Sequence, residues 1–376
     1  MSEAKPPKTA ILVATDKLSG AQKRAIAIYE ALRAQDYLVE LWIEPGMKPV
    51  LASAYPHIAD EAVVYLWGTW FDRLLRSLER FPKLWRWMNA GGPMAARGNP
   101  SIERLARARG VELIHLFLEL RVAHVKGVKT LFELTSPDIV DTVASWPRGK
   151  RRALDAYHAV SPSVDRRFRE KAPDVEPIRA SGPMTKFRAK DVAVGRKTNT
   201  IIFAHRFMAR KNAVPFARVA HRFVAMRPDW SVRILGFGDQ ESEIKAIVAD
   251  SSDRIEVALI PNLEEALAES RVFVSLIEPD NYPSQSVMES MAAGNALLVS
   301  DTGDSVEMFL DGNGLATSLD EEEVLEKLLE LTADPERLAA MGAKSRELAE
   351  KRFDQGRYLS HLNSVYRRIA AGDAAC

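Results

Sequence analysis

Two basic residues, Arg206 and Lys211, lie five positions apart in a segment that could bind a diphosphate. An apolar run at 200–204, typical of a strand, precedes them, and an amphipathic run at 213–226, typical of a helix, follows. Ligands of open α/β sheets bind in such strand-to-helix loops. A guanidinium and an ammonium could clamp a diphosphate there, with help from N–H groups at the helix start. The alternative is an ordinary solvated basic loop, and the spacing alone favours neither interpretation.

A second polar segment follows an apolar run that ends near Ile277. Ser284, Gln285 and Ser286 lead into a predicted helix, and loop N–H groups at its start could hold phosphate. Glu289 lies about one turn into that helix, where its carboxylate could accept hydrogen bonds from vicinal hydroxyls such as a ribose diol. A simple capping role is the alternative, because acidic residues are favoured at helix starts.

The C-terminal half of the sequence resembles the family 4 glycosyltransferases over residues 201–315. The segment 205–212 matches the family's Gly-Arg-Leu-x-x-x-Lys-Gly motif, and 281–294 matches its later motif, in which two glutamates are separated by seven residues. Leu235-Gly-Phe-Gly-Asp239 resembles the family's Gly-x-Gly turn, and Glu307 with 311–314 resembles its Glu and Asn-Gly turn. The four matches occur in the family's order. The N-terminal half is less similar and offers Gly20 for a glycine-rich loop.

The resemblance implies an α/β protein of the GT-B type: two Rossmann-like doubly wound domains facing a central cleft, with the C-terminal helix crossing back to the N-domain. It implies transfer with retention from a nucleotide-diphospho-sugar, without an essential metal. Arg206 and Lys211 would bind the diphosphate and offset charge on the leaving group. The remaining donor-binding positions that it implies are Gly20, Gly236, Ser284, Gln285, Ser286 and Glu289. The sequence contains no Asp-x-Asp motif, which agrees with a metal-independent reaction.

Three positions depart from the family pattern. Asn281 stands where the family has a catalytic-site glutamate that contacts sugar hydroxyls; its amide can hydrogen-bond but carries no charge, and Glu278 or Asp280 could replace that carboxylate. His205 stands where the family has glycine, so it either narrows the turn or brings a ring to the site. The histidine that the family often has in the N-domain is missing at 134–137, and Glu119 is a further candidate sugar contact.

Apolar runs alternate with amphipathic ones along the whole chain, as in doubly wound sheets. The polar stretch 186–199 predicts a linker. We therefore predict an acceptor domain at 1–190, a nucleotide-sugar-binding domain at 199–356, and a last helix at 357–370 that packs on the first domain. The strands are predicted at 9–14, 38–43, 62–66, 113–118, 130–134, 156–160, 177–180, 200–204, 231–235, 271–276 and 296–300.

Composition narrows the class of protein. The 376 residues suit two domains, and the net charge of +1 gives no reason to expect nucleic acid as a partner. The single cysteine, Cys376, excludes a disulfide framework. No apolar run approaches the roughly 20 residues that span a bilayer, and the N-terminus lacks a signal-peptide profile, so a cytoplasmic location is expected. The seven histidines are scattered along the sequence, which predicts neither a transition-metal cluster nor a metal cofactor.

The segment 67–87 mixes aromatic and basic side chains, as helices in the headgroup layer of anionic membranes do. It holds four of the seven tryptophans. The candidate membrane-contacting residues are Trp67, Trp70, Arg76, Arg80, Lys83, Trp85, Arg86 and Trp87. The alternative is a helical hairpin with its tryptophans in the core of the N-domain. Peripheral association with the inner face of the cytoplasmic membrane would suit a lipid-linked acceptor.

These observations predict a glycosyltransferase that moves a sugar from a nucleotide-diphospho-sugar to a lipid-linked glycan or glycolipid. One alternative is a nucleotide-sugar epimerase on the same fold, which would need acid and base carboxylates around the sugar. The other is a degenerate, non-catalytic protein that binds nucleotide-sugar or serves as a scaffold. Asn281 favours this last alternative, whereas the presence of Arg206, Lys211 and Glu289 argues against it.

Overall fold

In the computed structural model, the described residues are 6–14, 18, 20–65, 100–120, 124–179, 197–260, 262–279 and 284–373. The chain divides into two compact units, one of Met1–Ser181 with Leu359–Cys376 and one of Gly182–Tyr358. The tryptophan-rich segment 67–87, most of the linker at 186–199, and the candidate residues Asp280 and Asn281 lie outside the described residues.

The first unit contains a parallel sheet whose strands run in the order β3-β2-β1-β4-β5-β6-β7. The strands are β1 (Thr9–Val13), β2 (Val39–Ile43), β3 (Val63–Val64), β4 (Leu113–Phe117), β5 (Lys129–Leu134), β6 (Ala156–Ala159) and β7 (Pro177–Arg179). The described helices before the second unit are α1 (Gly20–Arg33), α2 (Met47–Ala54), α3 (Pro56–Ala59), α4 (Pro100–Arg109), α5 (Pro137–Ala144), α6 (Arg148–Arg151) and α7 (Pro162–Lys171).

The second unit contains a parallel sheet in the order β10-β9-β8-β11-β12-β13. Its strands are β8 (Thr200–Ala204), β9 (Ser231–Leu235), β10 (Ile255–Ala258), β11 (Val272–Ser275), β12 (Ala296–Ser300) and β13 (Gly314–Thr317). The helices are α8 (Ala213–Met226), α9 (Glu241–Ile247), α10 (Leu263–Glu269), α11 (Gln285–Ala292), α12 (Ser305–Phe309), α13 (Glu321–Ala333), α14 (Pro335–Phe353) and α15 (Gln355–Ala371).

Both faces of the second sheet are covered, which explains why its strands are continuous apolar runs. Side chains alternate between the two faces of a strand. Accordingly, Ile201 and Phe203 of β8 belong to one hydrophobic cluster, whereas Ile202 and Ala204 belong to another. The prediction of two Rossmann-like sheets is confirmed.

The last helix, α15, belongs to the first unit from Leu359 onward, as the prediction of a helix that crosses back to the N-domain requires. Tyr366 of this helix lies in a buried hydrogen bond with His115 of β4, with 2.9 Å between Oη and Nδ1. Within the described part of the chain, no helix is both long enough and apolar enough to cross a bilayer.

Candidate functional site

The topology of the second unit places a crevice beside β8. The chain moves outward through β9 and β10 and then returns to the other side of β8 with β11. The loops that follow β8 and β11 therefore lead in opposite directions, and ligands of open α/β sheets bind at such a reversal, beyond the carboxyl ends of the strands. The two polar segments singled out from the sequence follow these two strands, so they belong to the same edge of the sheet.

The loop after β8 is tied to the end of β11. It forms a short 3₁₀ turn at Ala209–Lys211 and ends at Asn212, whose φ of 51° is left-handed. The side-chain amide of Asn212 donates a hydrogen bond to the carbonyl oxygen of Leu276, with a distance of 3.0 Å. The backbone N–H of Glu278 donates to the carbonyl oxygen of Arg210 at 3.1 Å. These bonds hold the basic loop against the segment that leads to α11.

The backbone of the loop after β9 packs directly against the backbone of the same basic loop. The N–H of Phe207 donates to the carbonyl oxygen of Phe237 at 2.8 Å. A Cβ atom on Gly236 would lie 1.9 Å from the carbonyl oxygen of His205, and one on Gly238 would lie 2.2 Å from that of Phe207. Both glycines are therefore required by the packing of the two loops, whether or not Gly236 also contacts a ligand.

Arg206 and Lys211 are cations without a carboxylate partner: among the described residues, neither forms an ion pair. The exposed guanidinium of Arg206 lies 5.5 Å from the ring centre of Phe237, which is itself half exposed. Lys211 is partly buried, and burial, together with the charge of Arg210, lowers the pKa of its ammonium group to about 8. An anion held between these side chains would compensate both charges.

His205 is held as a neutral imidazole at the base of the loop. Its ring packs edge-on against Phe203 and Phe273, with centre-to-centre distances of 4.9 and 5.9 Å. Burial and the nearby charge of Lys211 hold its pKa well below the ordinary value, against a hydrogen bond with the backbone of Val274. Its Nε2 atom is buried and has no hydrogen-bond partner. A neutral ring with a spare acceptor nitrogen can bind a hydroxyl or an ammonium.

Helix α11 starts at the predicted phosphate-binding segment. Ser284 precedes its first residue and is buried, and the hydroxyl oxygens of Ser284 and Ser286 are 3.3 Å apart. Gln285 is exposed, whereas Glu289 is partly buried one turn further on. Glu278, before this segment, is exposed. The donor-binding and sugar-contact roles of these residues remain predictions.

The two candidates in the first unit differ in their surroundings. Gly20 is the first residue of α1, which follows β1 beside the reversal between β1 and β4. A Cβ atom on Gly20 would meet no atom within 4 Å, so the described residues do not themselves require glycine there. Glu119 is fully buried and accepts a hydrogen bond from the hydroxyl of Tyr65 at 3.1 Å, so its carboxylate is not open to a sugar here.

A buried polar cluster in the first unit escaped the sequence analysis. His115, Glu133 and His158, on the adjacent strands β4, β5 and β6, place their nitrogen and oxygen atoms within 4.8 Å of one another, although the histidines are scattered in the sequence. Glu133 Oε2 accepts from His115 Nε2 at 3.1 Å and from His158 Nδ1 at 2.7 Å. Polar residues at these strand positions, which face one side of the sheet, are the signal that was missed.

The carboxylate of this cluster already has a cationic partner. Arg24 Nη2 lies 3.0 Å from Glu133 Oε1. The charges of His158 and Arg24, with the two hydrogen bonds, outweigh burial and hold the pKa of Glu133 well below its usual range. Burial, in turn, lowers the pKa of His115. Because a divalent cation would add two charges beside buried Arg24, the donor set fits a hydrogen-bond network better than a metal centre.

The comparisons with known proteins agree with this architecture. Residues 185–348 match the family described as "Glycosyl transferases group 1". The chain is 25% identical over 192 residues to alpha-maltose-1-phosphate synthase of Mycolicibacterium smegmatis, and this match spans 46% of the chain and 48% of that relative, about half of its length.

Solved structures with a similar fold cover nearly the whole chain. A glycosyltransferase from Rickettsia africae superposes with a TM-score of 0.71 and 12% identity over 96% of this chain and 98% of that one. Sucrose-phosphate synthase from Thermosynechococcus elongatus gives 0.68 and 14% over 96% and 99%. HepE from Anabaena, in complex with UDP, gives 0.68 and 13% over 95% and 98%. Residues 185–348, within the second unit, thus match the family model of the group 1 glycosyl transferases, and the whole chain shares the GT-B type of fold with these solved structures.

Proposed function

We propose that this protein is a glycosyltransferase that takes its sugar from a nucleotide-diphospho-sugar bound at the reversal between β8 and β11. One observation carries the proposal: Arg206 and Lys211 lie without carboxylate partners, among the described residues, on a loop fixed between the ends of β9 and β11. Such a pair of cations matches the two phosphates of a nucleoside diphosphate. The match of residues 185–348 to the group 1 glycosyl transferases supports the same assignment.

The proposed chemistry depends on the leaving group. When the bond between the sugar and the diphosphate breaks, negative charge grows on the diphosphate oxygens. Fixed cations aimed at that charge stabilise the transition state more than the ground state, so Arg206 and Lys211 would accelerate the step without an essential metal. The resemblance to family 4 supports retention of the sugar's configuration.

Each of the remaining candidate residues would contact a different part of the donor. Glu289 would accept hydrogen bonds from the ribose hydroxyls, and the N–H groups around Ser284 would support the diphosphate. The donor sugar would be contacted by Asn281, with Glu278 or Asp280 in place of the missing carboxylate. His205 could accept a hydrogen bond through Nε2.

Nucleotide binding is the first test. We expect one of UDP, GDP, dTDP, ADP and CMP to raise the melting temperature, and UDP is the leading candidate because the similar protein HepE was solved with UDP. A ligand at about 100 times its dissociation constant adds about 2.7 kcal/mol to the free energy of unfolding. Glu289→Ala should reduce this increase in the melting temperature, because the carboxylate proposed to bind the ribose is lost. Absence of a shift with all five nucleotides would favour the non-catalytic scaffold.

The acceptor is proposed to be a lipid-linked glycan or glycolipid, reached at the inner face of the cytoplasmic membrane. The support is the composition of segment 67–87, which joins four tryptophans to a basic set of side chains. Anionic lipids attract each basic residue near the surface with about 1 kcal/mol.

Liposome binding tests the membrane part of the proposal. Replacing Trp85, Arg86 and Trp87 by serine should weaken co-sedimentation with anionic vesicles by about tenfold or more, since two interfacial aromatic rings and one charge are lost. Neutral vesicles serve as the control for the charge contribution. Equal partitioning of the variant and the parent protein, with both folded, would instead place the tryptophans in the core.

A further inference from the structure

A cavity of about 350 Å³ opens at the edge of the second sheet that lies opposite the loops described above. Lys197 shortly precedes β8 and Arg271 directly precedes β11, so both belong to the amino-terminal ends of these parallel strands. The far wall is formed by α14. The side chains that line the cavity include Lys197, Arg271, Leu338, Ala339, Ala343 and Arg346.

The cavity concentrates positive charge. Three of its lining residues are basic, and none of the described residues that line it is acidic. The ammonium of Lys197 donates to the carbonyl oxygen of Ser270 at 2.6 Å and to Oδ1 of Asn295 at 3.0 Å, so it is fixed in place. Burial, and then the charges of Arg271 and Arg346, lower its pKa to about 8.

Arg271 is the group that lacks a partner. Its Nε atom is buried and makes no hydrogen bond, and its side chain forms no ion pair with the described part of the chain. A partly buried guanidinium normally pairs with a carboxylate or a carbonyl oxygen, because leaving its donors unsatisfied costs free energy. The planar fork of Arg271 is therefore available to an anion that enters the cavity.

The rigid wall of α14 keeps the cavity open. Gly342 packs directly on the turn that precedes β12: a Cβ atom there would lie 2.5 Å from the carbonyl oxygen of Gly294, whose φ is 74°. This contact fixes the backbone of α14 at the sheet edge. The neighbouring positions on the helix carry the short side chains of Ala339 and Ala343, which leave space above the basic residues.

We propose that this cavity is a second anion site, separate from the donor loops, and that it binds a small phosphorylated metabolite. A phosphate dianion matches several converging cations better than a carboxylate does, and Arg271 can bind it with two parallel hydrogen bonds. The carbon skeleton of the ligand would lie against Leu338, Ala339 and Ala343. The volume is in the range of small-molecule sites, at the lower end of about 300–1,000 Å³.

Titration calorimetry on the full-length chain tests the site with inorganic phosphate and a hexose 6-phosphate. The chain should carry Arg206→Ala and Lys211→Ala, so that phosphate binding at the donor loops does not contribute. We expect one molecule of hexose 6-phosphate per chain, bound more tightly than inorganic phosphate at equal ionic strength. Adding Arg271→Gln should raise the dissociation constant about tenfold or more, since a charge-assisted pair of hydrogen bonds is lost.

Two further variants make the result decisive. Arg222→Gln removes an exposed arginine of the same unit that pairs with Glu322, so hexose 6-phosphate should bind as before. Ala343→Glu places a carboxylate in the cavity; it should raise the melting temperature without ligand and abolish binding. If inorganic phosphate and hexose 6-phosphate bind with equal affinity, the proposed contacts of the ligand's carbon skeleton with Leu338, Ala339 and Ala343 would be wrong. Absence of binding, or binding that survives Arg271→Gln, would overturn the site. Since the donor loops are disabled throughout, none of these results depends on the proposed transferase activity.

Discussion

Replacing either Arg206 or Lys211 by alanine should lower the turnover number by about 10²–10³-fold, the loss seen when one group that stabilises transition-state charge is removed. Each side chain is expected to face the diphosphate as it gains charge, and neither forms an ion pair with another described residue. Lys211→Ala should not destabilise the fold, because burial already disfavours its charged form. The measurement is kcat and KM with the nucleotide-sugar identified by thermal shift, together with the melting temperature.

Arg210→Ala is the matched control for these two variants. Arg210 lies in the same 3₁₀ turn, and its side chain is exposed. We expect its kcat to stay within about threefold of the parent value, since exposed charges are largely screened by solvent. Near-normal turnover in both Arg206→Ala and Lys211→Ala would contradict the diphosphate clamp, even if nucleotide still bound.

The pH dependence of nucleotide affinity gives an independent check on Lys211. Its ammonium loses a proton as the pH rises through about 8. Since the diphosphate binds the charged form, affinity should be flat on the acid side of this value and fall above it, by up to about tenfold per pH unit. Lys211→Arg keeps its charge throughout this range and should abolish the fall. An unchanged profile in that variant would assign the titration to another group.

Apolar runs bounded by polar residues made much of the fold predictable. The strands at 200–204, 231–235 and 296–300 have the bounds expected from the sequence, because both faces of the sheet are covered and every position except Arg233 is apolar or small. Strand β10 was missed because it lies at the edge of the sheet, where Glu256 is exposed and Val257 and Ala258 are only partly buried. Strand β13 was missed because it starts at Gly314, which the close backbone of Leu297 requires.

Side-chain clusters were harder to predict than strands. The resemblance identified the basic loop and the start of α11, because the residues of each motif are close together in the sequence. It gave no indication that His115, Glu133 and His158 meet, because only the pairing of β4, β5 and β6 brings them to one side of the sheet. The close contact of Gly236 with the carbonyl oxygen of His205 could not be predicted from the sequence either, because it depends on β8 and β9 being neighbours in the sheet.

The buried cluster of the first unit should dominate its stability. Glu133→Ala is expected to lower the free energy of unfolding by about 3–5 kcal/mol, because it removes the carboxylate that pairs with the buried guanidinium of Arg24. It also removes the acceptor for both His115 and His158. Urea unfolding should show the loss in the transition of the first unit. The exposed pair of Arg33 with Glu61 supplies a control, for which Arg33→Ala should cost about 1 kcal/mol or less and leaves the hydrogen bond from Tyr29 to Glu61 in place.

A compensating variant separates charge from packing. Arg24→Met with Glu133→Leu should recover the part of the loss that the charge of Arg24 causes, because apolar residues of similar size often replace a buried ion pair at little cost. The part that comes from the unsatisfied N–H groups of His115 and His158 should remain. The stability of the parent protein should fall as the pH is lowered. The lowered pKa of His115 makes stability fall as the pH drops below its unfolded value of 6.5, and that of Glu133 continues the fall below 4.5. Equal acid sensitivity of the double variant and the parent below pH 4.5 would assign that part of the fall to groups other than Glu133. Equal stability of Glu133→Ala and the parent would contradict the predicted contribution of this carboxylate.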